Sequence, residues 1–369
     1  MNSARHIPVL IKKLEDIKGK PIDKKVFIGV DGYIDKIQKA VKTRTAGSVD
    51  YYPTLKEFAA RIDAAAGKSG QVELVTHMIK LGGNAPIMSN ALGFLGVENY
   101  CLGNAGFPEK HPVYNTLHHR VKTLSIGNPS ESAALEFNDG KMILSDLSEF
   151  SNLDWEQVKK NVGKDKIQDG MNACDVVALV GWCNPVHATR VWKGILEEIM
   201  PKTTRKKLIF FDLADPTKKS KQDLEDVLSV INSFSKYGTV ILGLNENETI
   251  KLYHVLHGQS QKSGLVDLNQ QGKEIFSGLS IEGLLLHPVD RSIYIDKNGI
   301  IQLDGKLVKE PKISTGGGDN LNAGFCLGYL LGFSTEESMI LGMATSGAYV
   351  SNGRSPEIQD LCSYLKTWI

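Results

Sequence analysis

No CxxC pair occurs among the five cysteines of this 369-residue chain, Cys101, Cys174, Cys183, Cys326 and Cys362. Scattered, odd in number and set in apolar surroundings, they exclude a disulfide framework and read as reduced, buried thiols. Cys174, Cys183 and His187 lack zinc-type spacing, so they read as core thiols and a loop histidine. Charge of one sign is also missing. Forty-three Lys and Arg against 42 Asp and Glu leave a net charge of +1, with no global surplus for nucleic acid or an anionic membrane. Long apolar runs are absent. Ile7-Pro8-Val9-Leu10-Ile11 is followed at once by Lys12 and Lys13, too short for a signal segment or a membrane span, and no later stretch approaches 18 apolar residues. A soluble cytoplasmic protein is expected. Two nucleotide signatures are missing as well. Gly29-Val30-Asp31-Gly32 after the first strand is not Gly-x-Gly-x-x-Gly, which argues against a dinucleotide oxidoreductase. Ala66-Gly67-Lys68-Ser69 has Ile62 where a phosphate-binding P-loop needs its first glycine.

What the chain does contain is alternation. Val26–Val30, Val176–Val180, Leu208–Phe211 and Val240–Leu242 are short apolar runs, each ending in a polar or glycine turn. They read as buried parallel strands. Helical patterns lie between them at Pro86–Leu95, Val186–Met200, Lys221–Phe234 and Glu246–Leu256, so a parallel sheet covered by helices is expected. Leu284–Leu286 and a hairpin over Ser292–Leu303, turning at Lys297-Asn298-Gly299, follow before the C-terminal helices. Two regions break the rhythm. Asp35–Val72 holds a Thr/Arg/Gly/Ser segment and a helix over Thr54–Ala65. Thr123–Ser145 alternates apolar and polar residues around the hairpin signal Asn138-Asp139-Gly140-Lys141. Such insertions predict a small sheet over the ligand cleft of a single domain, 1–369, with lid elements at about 31–52 and 111–146.

Ser314-Thr315-Gly316-Gly317-Gly318-Asp319 carries the chemistry. Leu321, Phe325, Leu327, Leu330 and Leu331 recur behind it at helical spacing. Glycines expose backbone N–H groups to a ligand, and a helix start adds unpaired amides and a positive dipole end. That is an anion site. An acid at its mouth is either an N-terminal cap or a general base acting on a hydroxyl while the amides hold the group under attack. Gly82-Gly83-Asn84-Ala85-Pro86 again places a diglycine before a helix. Asn245-Glu246-Asn247-Glu248 follows a strand and opens a helix, which suits either a cap or hard oxygen ligands for Mg²⁺. Asp31 and Asp35 come just after the first strand, and Asp212 and Asp215 after a later one. Strand C-termini are where open α/β sheets bind ligands.

In order and spacing, these motifs resemble the ribokinase-like (PfkB) carbohydrate kinase family over roughly residues 24–367. Ile313–Asp319 with Leu321-Asn322-Ala323 resembles its C-terminal signature, Gly82-Gly83 its sugar-site signature, and Asn245-x-x-Glu248 its Asn-x-x-Glu motif. Val350–Arg354 stands where the family closes over adenine. The resemblance implies a three-layer α/β sandwich with a mainly parallel central sheet and a β lid. It also implies transfer of the γ-phosphoryl group of ATP to a sugar-like alcohol. Asp319 would be the base and Gly316, Gly317 and Gly318 the anion hole. Asp31, Asp35, Gly82, Gly83 and Asn84 would hold the acceptor. Asn245, Thr315, Asn322, Asn352 and Gly353 would face the nucleotide, and Glu248 would hold Mg²⁺ through water.

Several positions depart from the family pattern. Ile313 replaces the Asp beside a monovalent-cation loop, which removes the ground for K⁺ activation. Ile87 replaces a sugar-contacting Asn, and Gly317 replaces the signature's Ala. His287-Pro288-Val289-Asp290-Arg291 replaces a glycine-rich nucleotide loop and reads as solvated. Gly103–Pro108 carries no acid after its glycine. Two further readings stay open, a nucleoside kinase and a nucleotide- or sugar-binding homologue with weak turnover. An aromatic platform in the acceptor pocket would favour the nucleoside; Tyr33, Trp182 and Asn184 are candidates to line it. Lys36, Lys42, Arg44, Lys122 and Lys141 are candidate lid cations for a phosphorylated sugar, and exposed lid strands leave room for a homodimer.

Overall fold

The computed structural model describes residues 3–257, 267–313 and 315–369; Ser314 of the glycine motif lies outside them. Its larger sheet has nine strands. They run in the order Gly299–Asp304, Arg291–Asp296, Gly283–Leu286, Gly238–Leu244, Lys207–Asp212, Val176–Leu179, Lys25–Gly29, Glu98–Gly103 and Val121–Ser125. The first two pairings, which join the first three strands, are antiparallel and the rest are parallel. Burial on both faces explains the near-continuous apolar strands. Side chains alternate across the sheet. Val177, Leu179, Ile209 and Phe211 enter one core, with the helices that include Trp192, Leu224 and Leu252. Val176, Ala178, Leu208 and Phe210 enter the other, with Leu92, Phe325 and Ile340. The expected three-layer α/β sandwich is therefore present.

The smaller sheet is built from Tyr33–Arg44, Val49–Tyr51, Leu74–Gly82, Ser130–Phe137 and Gly140–Asp146. Its longest strand, Tyr33–Arg44, pairs antiparallel with Leu74–Gly82 and parallel with Ser130–Phe137. The last two strands form the hairpin whose turn the Asn138-Asp139 signal marks. Two details differ from the sequence reading. Val121–Ser125 is the edge strand of the large sheet, and Leu74–Gly82, which the reading left outside both insertions, joins the small one. Most side chains of Leu74–Gly82 are exposed or half-buried, so it lacks the clean alternation that betrays a strand.

The chain reaches the cleft through strand ends. From Lys25–Gly29 the chain adds Glu98–Gly103 and Val121–Ser125 on one side, then returns to place Val176–Leu179 and later strands on the other, so the direction of winding reverses beside it. Ligands of open α/β sheets bind in the crevice at such a reversal. Asp212 ends its strand, and Asp31, Asn245 and His287 follow C-terminal strand ends along this rim. Among the described residues no helix is long and apolar enough to cross a membrane.

Candidate active site

A cavity of about 420 Å³ opens between the sheet rim and the small sheet. On the rim side, helix Gly317–Leu330 begins after Gly316, which sits at φ 94°. That left-handed conformation favours glycine. A Cβ there would stand 2.9 Å from the Tyr349 hydroxyl, which donates to the Thr315 carbonyl at 2.8 Å. The amides of Gly317, Gly318 and Asp319 belong to the first turn and have no intrahelical acceptor. Asp319 lies in that turn, 8% exposed, and accepts a hydrogen bond from Asn84 Nδ2 at 2.8 Å. Its carboxyl is held well above the usual range by burial first and then by the nearby Asp212.

Asn84 opens the helix Asn84–Phe94. Asp31 caps that helix from below: its carboxylate accepts from the amides of Asn84 at 2.9 Å and Ala85 at 2.8 Å. Burial nevertheless pushes Asp31 up to about 7. Asp31 and Gly82 stand behind the cavity rather than on its wall. A Cβ on Gly82 would lie 2.3 Å from the Asp35 carboxylate, so this glycine makes room for the acid. Asp35 itself lines the cavity and accepts from Ser132 of the next lid strand.

Asn245 and Glu248 form the reciprocal cap expected at the start of Glu246–His257. Asn245 Oδ1 accepts from the Glu248 amide and Glu248 Oε2 from the Asn245 amide, both at 2.9 Å. Glu248 is also on the cavity wall, beside Asp212. Burial raises both carboxyls, and Asp212 raises Glu248 further. Asn322 is buried beneath the cavity and donates to Asp212 at 2.6 Å.

A second cavity, about 480 Å³, adjoins the first and shares Asn245, His287 and Gly318 with it. Its walls are chiefly apolar, from Pro288, Val289, Leu307, Val308, Met343 and Val350, with Gly317 at its inner end. Helix Thr335–Asn352 contributes Met343, Ser346, Gly347 and Val350. Asn352 and Gly353, beyond Val350, stand outside the lining: Asn352 is exposed and Gly353 caps the helix.

The first cavity therefore brings together Asp35, Gly83, Asn84, Asn245, Glu248, Thr315, Gly316, Gly318 and Asp319. It adds Ser132 and Ser145, which no local motif marks, and Asp212. Tyr33 and Asn184 line it, while Trp182 is fully buried. Of the candidate cations, Lys36, Lys42 and Arg44 pair with Glu131, Glu57 and Glu73, and Lys122 lies over the Tyr100 ring. Lys141 alone of these five reaches the glycine turn, donating to Thr315 Oγ1. His287 is not solvated as its loop sequence suggested; it is 8% exposed. Arg291 pairs with Asp290. All five cysteines are free and buried.

A family model described as prokaryotic ketohexokinase matches residues 10–368. The ketohexokinase of Haloferax volcanii is 24% identical over 349 residues, covering 94% of this chain and 92% of that protein. Among solved structures, Arabidopsis thaliana ribokinase complexed with ribose and ATP superposes with a TM-score of 0.62 at 14% identity, covering 93% of this chain and 99% of that one. Adenosine kinase from Sinorhizobium meliloti gives 0.63 at 16%, covering 94% and 100%. At these identities the two structures establish the fold, which is ribokinase-like.

Proposed function

Since the chain belongs to the prokaryotic ketohexokinase family and is a carbohydrate kinase, we propose that it moves the γ-phosphoryl group of ATP to a hydroxyl of a ketohexose. The observation that carries the reading is Asp319. A buried carboxylate in the first turn of a glycine-led helix, tied to Asn84 across the cavity, sits where a base must sit to serve an acceptor on the Asp35 side. The acceptor hydroxyl gives its proton to Asp319 as its oxygen bonds to phosphorus, and the bond from phosphorus to the departing ADP oxygen breaks. The amides of Gly316, Gly317 and Gly318 hold the charge on the transferring group. Lys141, on the lid side of Thr315, adds a positive charge.

Asp35, Ser132, Asn84 and Asn184 offer carboxylate, hydroxyl and amide groups to sugar hydroxyls. Tyr33 also lines the same cavity, but it is 6% exposed and edge-on to Phe150, so the polar groups dominate the wall and favour a sugar over a nucleoside. The apolar cavity suits the adenine, with Asn245 and Thr315 toward the phosphates. The donor set also fits Mg²⁺. Asp212 and Glu248 are hard oxygen groups raised by burial and proximity, an environment that a cation relieves. Among the described residues no three acidic, His or Cys groups are gathered as direct ligands, so Glu248 and Asp212 would hold the ion through its waters. When bound, Mg²⁺ shields phosphate charge. Ile313 offers no carboxylate, which removes the ground for K⁺ activation.

The test is ADP release from Mg·ATP with ketohexoses, aldohexoses, ribose and adenosine. A ketohexose should be turned over best. Turnover of adenosine alone would overturn the acceptor assignment, and ATP binding without ADP from any acceptor would make the chain a binding homologue.

A further inference from the structure

His287 follows the strand Gly283–Leu286 and stands on the wall that the two cavities share. Its amide donates to the Leu244 carbonyl at 3.0 Å, which anchors the backbone to the neighbouring strand end and fixes where the ring emerges. The Cε1 edge lies 3.5 Å from the point a Cβ on Gly318 would occupy. The ring thus packs against the glycine turn, beside the path between the apolar cavity and the acceptor cavity. Its Nε2 atom is buried and has no hydrogen-bond partner. Buried polar atoms are nearly always paired, and leaving one unpaired costs stability that an apolar side chain of similar size would not. The unpaired nitrogen at this junction therefore points to a ligand group.

We infer that His287 donates its Nε2 proton to the phosphate chain of the bound nucleotide, where the chain crosses from the apolar cavity to the acceptor cavity. The inference rests on the ATP reading above. Burial lowers the imidazole to about 4, so at physiological pH the ring is neutral and one of its nitrogens carries a proton. A neutral donor gives the phosphate a directed hydrogen bond without the grip of a full positive charge, which would also hold the ADP product. The apolar residues of the second cavity cannot supply that bond.

Three variants and two ligand families test this. His287→Leu removes the donor at similar volume, and His287→Gln restores one on a side chain of similar reach. Binding of ATP, ADP and adenosine is measured by titration calorimetry, with KM for ATP and kcat in parallel. His287→Leu should weaken ATP and ADP by about 10- to 100-fold, leave adenosine within about threefold and raise KM for ATP more than it lowers kcat. His287→Gln should recover most of the loss. His287→Asn, shorter by one methylene, should recover less than Gln. Unchanged ATP affinity in His287→Leu would overturn the inference, as expected if a water pairs Nε2 instead. Equal losses for ATP and adenosine would also overturn it, by placing the ring against the base. If His287→Leu does not fold, His287→Gln decides: it must keep the ATP-over-adenosine preference of the wild type. A wild-type protein that neither binds nor consumes ATP sinks the proposed function as well, whereas normal wild-type turnover with an indifferent His287 sinks only this inference.

Discussion

The two walls of the cleft are built from opposite electrostatic materials. The rim of the large sheet gathers Asp31, Asp212, Glu248 and Asp319 in or behind one cavity, every one of them raised by burial. The small sheet answers with Lys141 at Thr315 and with Lys80, which stands opposite Asp35 in the ladder. Burial lowers Lys80, and Asp35 and Asp319 oppose that lowering. Elsewhere the small sheet carries exposed ion pairs such as Arg44 with Glu73. The difference teaches a division of labour. On the proposed reading, the rim holds the groups that would accept a proton and attract a cation, and the lid would supply positive charge and hydroxyl-binding groups.

That division is best broken at its strongest point. Asp319→Asn keeps the shape of the rim and removes its base, so kcat for the preferred sugar should fall by about 10²–10⁴-fold with the KM for sugar little changed. Unaltered turnover would remove Asp319 from the chemistry. Gly318→Ala is the cleaner probe of the anion hole, because among the described residues beyond its own helix its new Cβ meets His287 alone, at an ordinary 3.5 Å. Folding should be intact and kcat reduced by about 10²-fold; a variant as active as the wild type would show that no ligand approaches that glycine. Lys141→Met tests the other wall, and about a tenfold loss in kcat/KM for ATP is expected, shrinking as salt rises. If the lid substitution cost as much kcat as Asp319→Asn, the division between walls would be wrong.

The smallest effect concerns stability. In the ligand-free protein the raised acids of the rim keep their protons to higher pH than they do in the unfolded chain, which releases them above about pH 4. Their contribution is therefore present at low pH and lost as pH rises through the folded values, with Asp31 titrating near 7. Surface acids behave oppositely. Glu198, held down to about 2 by Lys164 and Trp155, loses its contribution only in stronger acid. Melting temperature of the ligand-free protein should decline between about pH 4 and pH 7, and Asp319→Asn should flatten the decline. A melting temperature that climbs across this window would contradict the buried cluster.

Much of the rim was legible because its parts are local. A glycine turn before an apolar helix, or an Asn three residues ahead of a Glu, is written in consecutive residues, and the fold follows from strands that are apolar on both faces. The lid was harder to read. Leu74–Gly82 has two half-wet faces, and Ser132 gains meaning only by lying across from Asp35. Asp212 shows its role only once Glu248, 36 positions on, is beside it. Asn352 and Gly353 match in position along the chain, but the residues that line the second cavity are Met343, Ser346, Gly347 and Val350. Motif order locates a helix end without saying which of its faces meets the ligand.

Asn84 is pinned at both ends, its backbone by Asp31 and its side chain to Asp319. For anyone redesigning this enzyme, that makes the diglycine corner a poor place to begin. Repurposing it for a new acceptor would retune the proposed base in the same stroke, as turning one gear turns its mate. Ser132 and Ser145 sit on lid strands, and neither bonds Asp319. Substrate scope is therefore best altered there, by changing the lid and leaving the engine untouched.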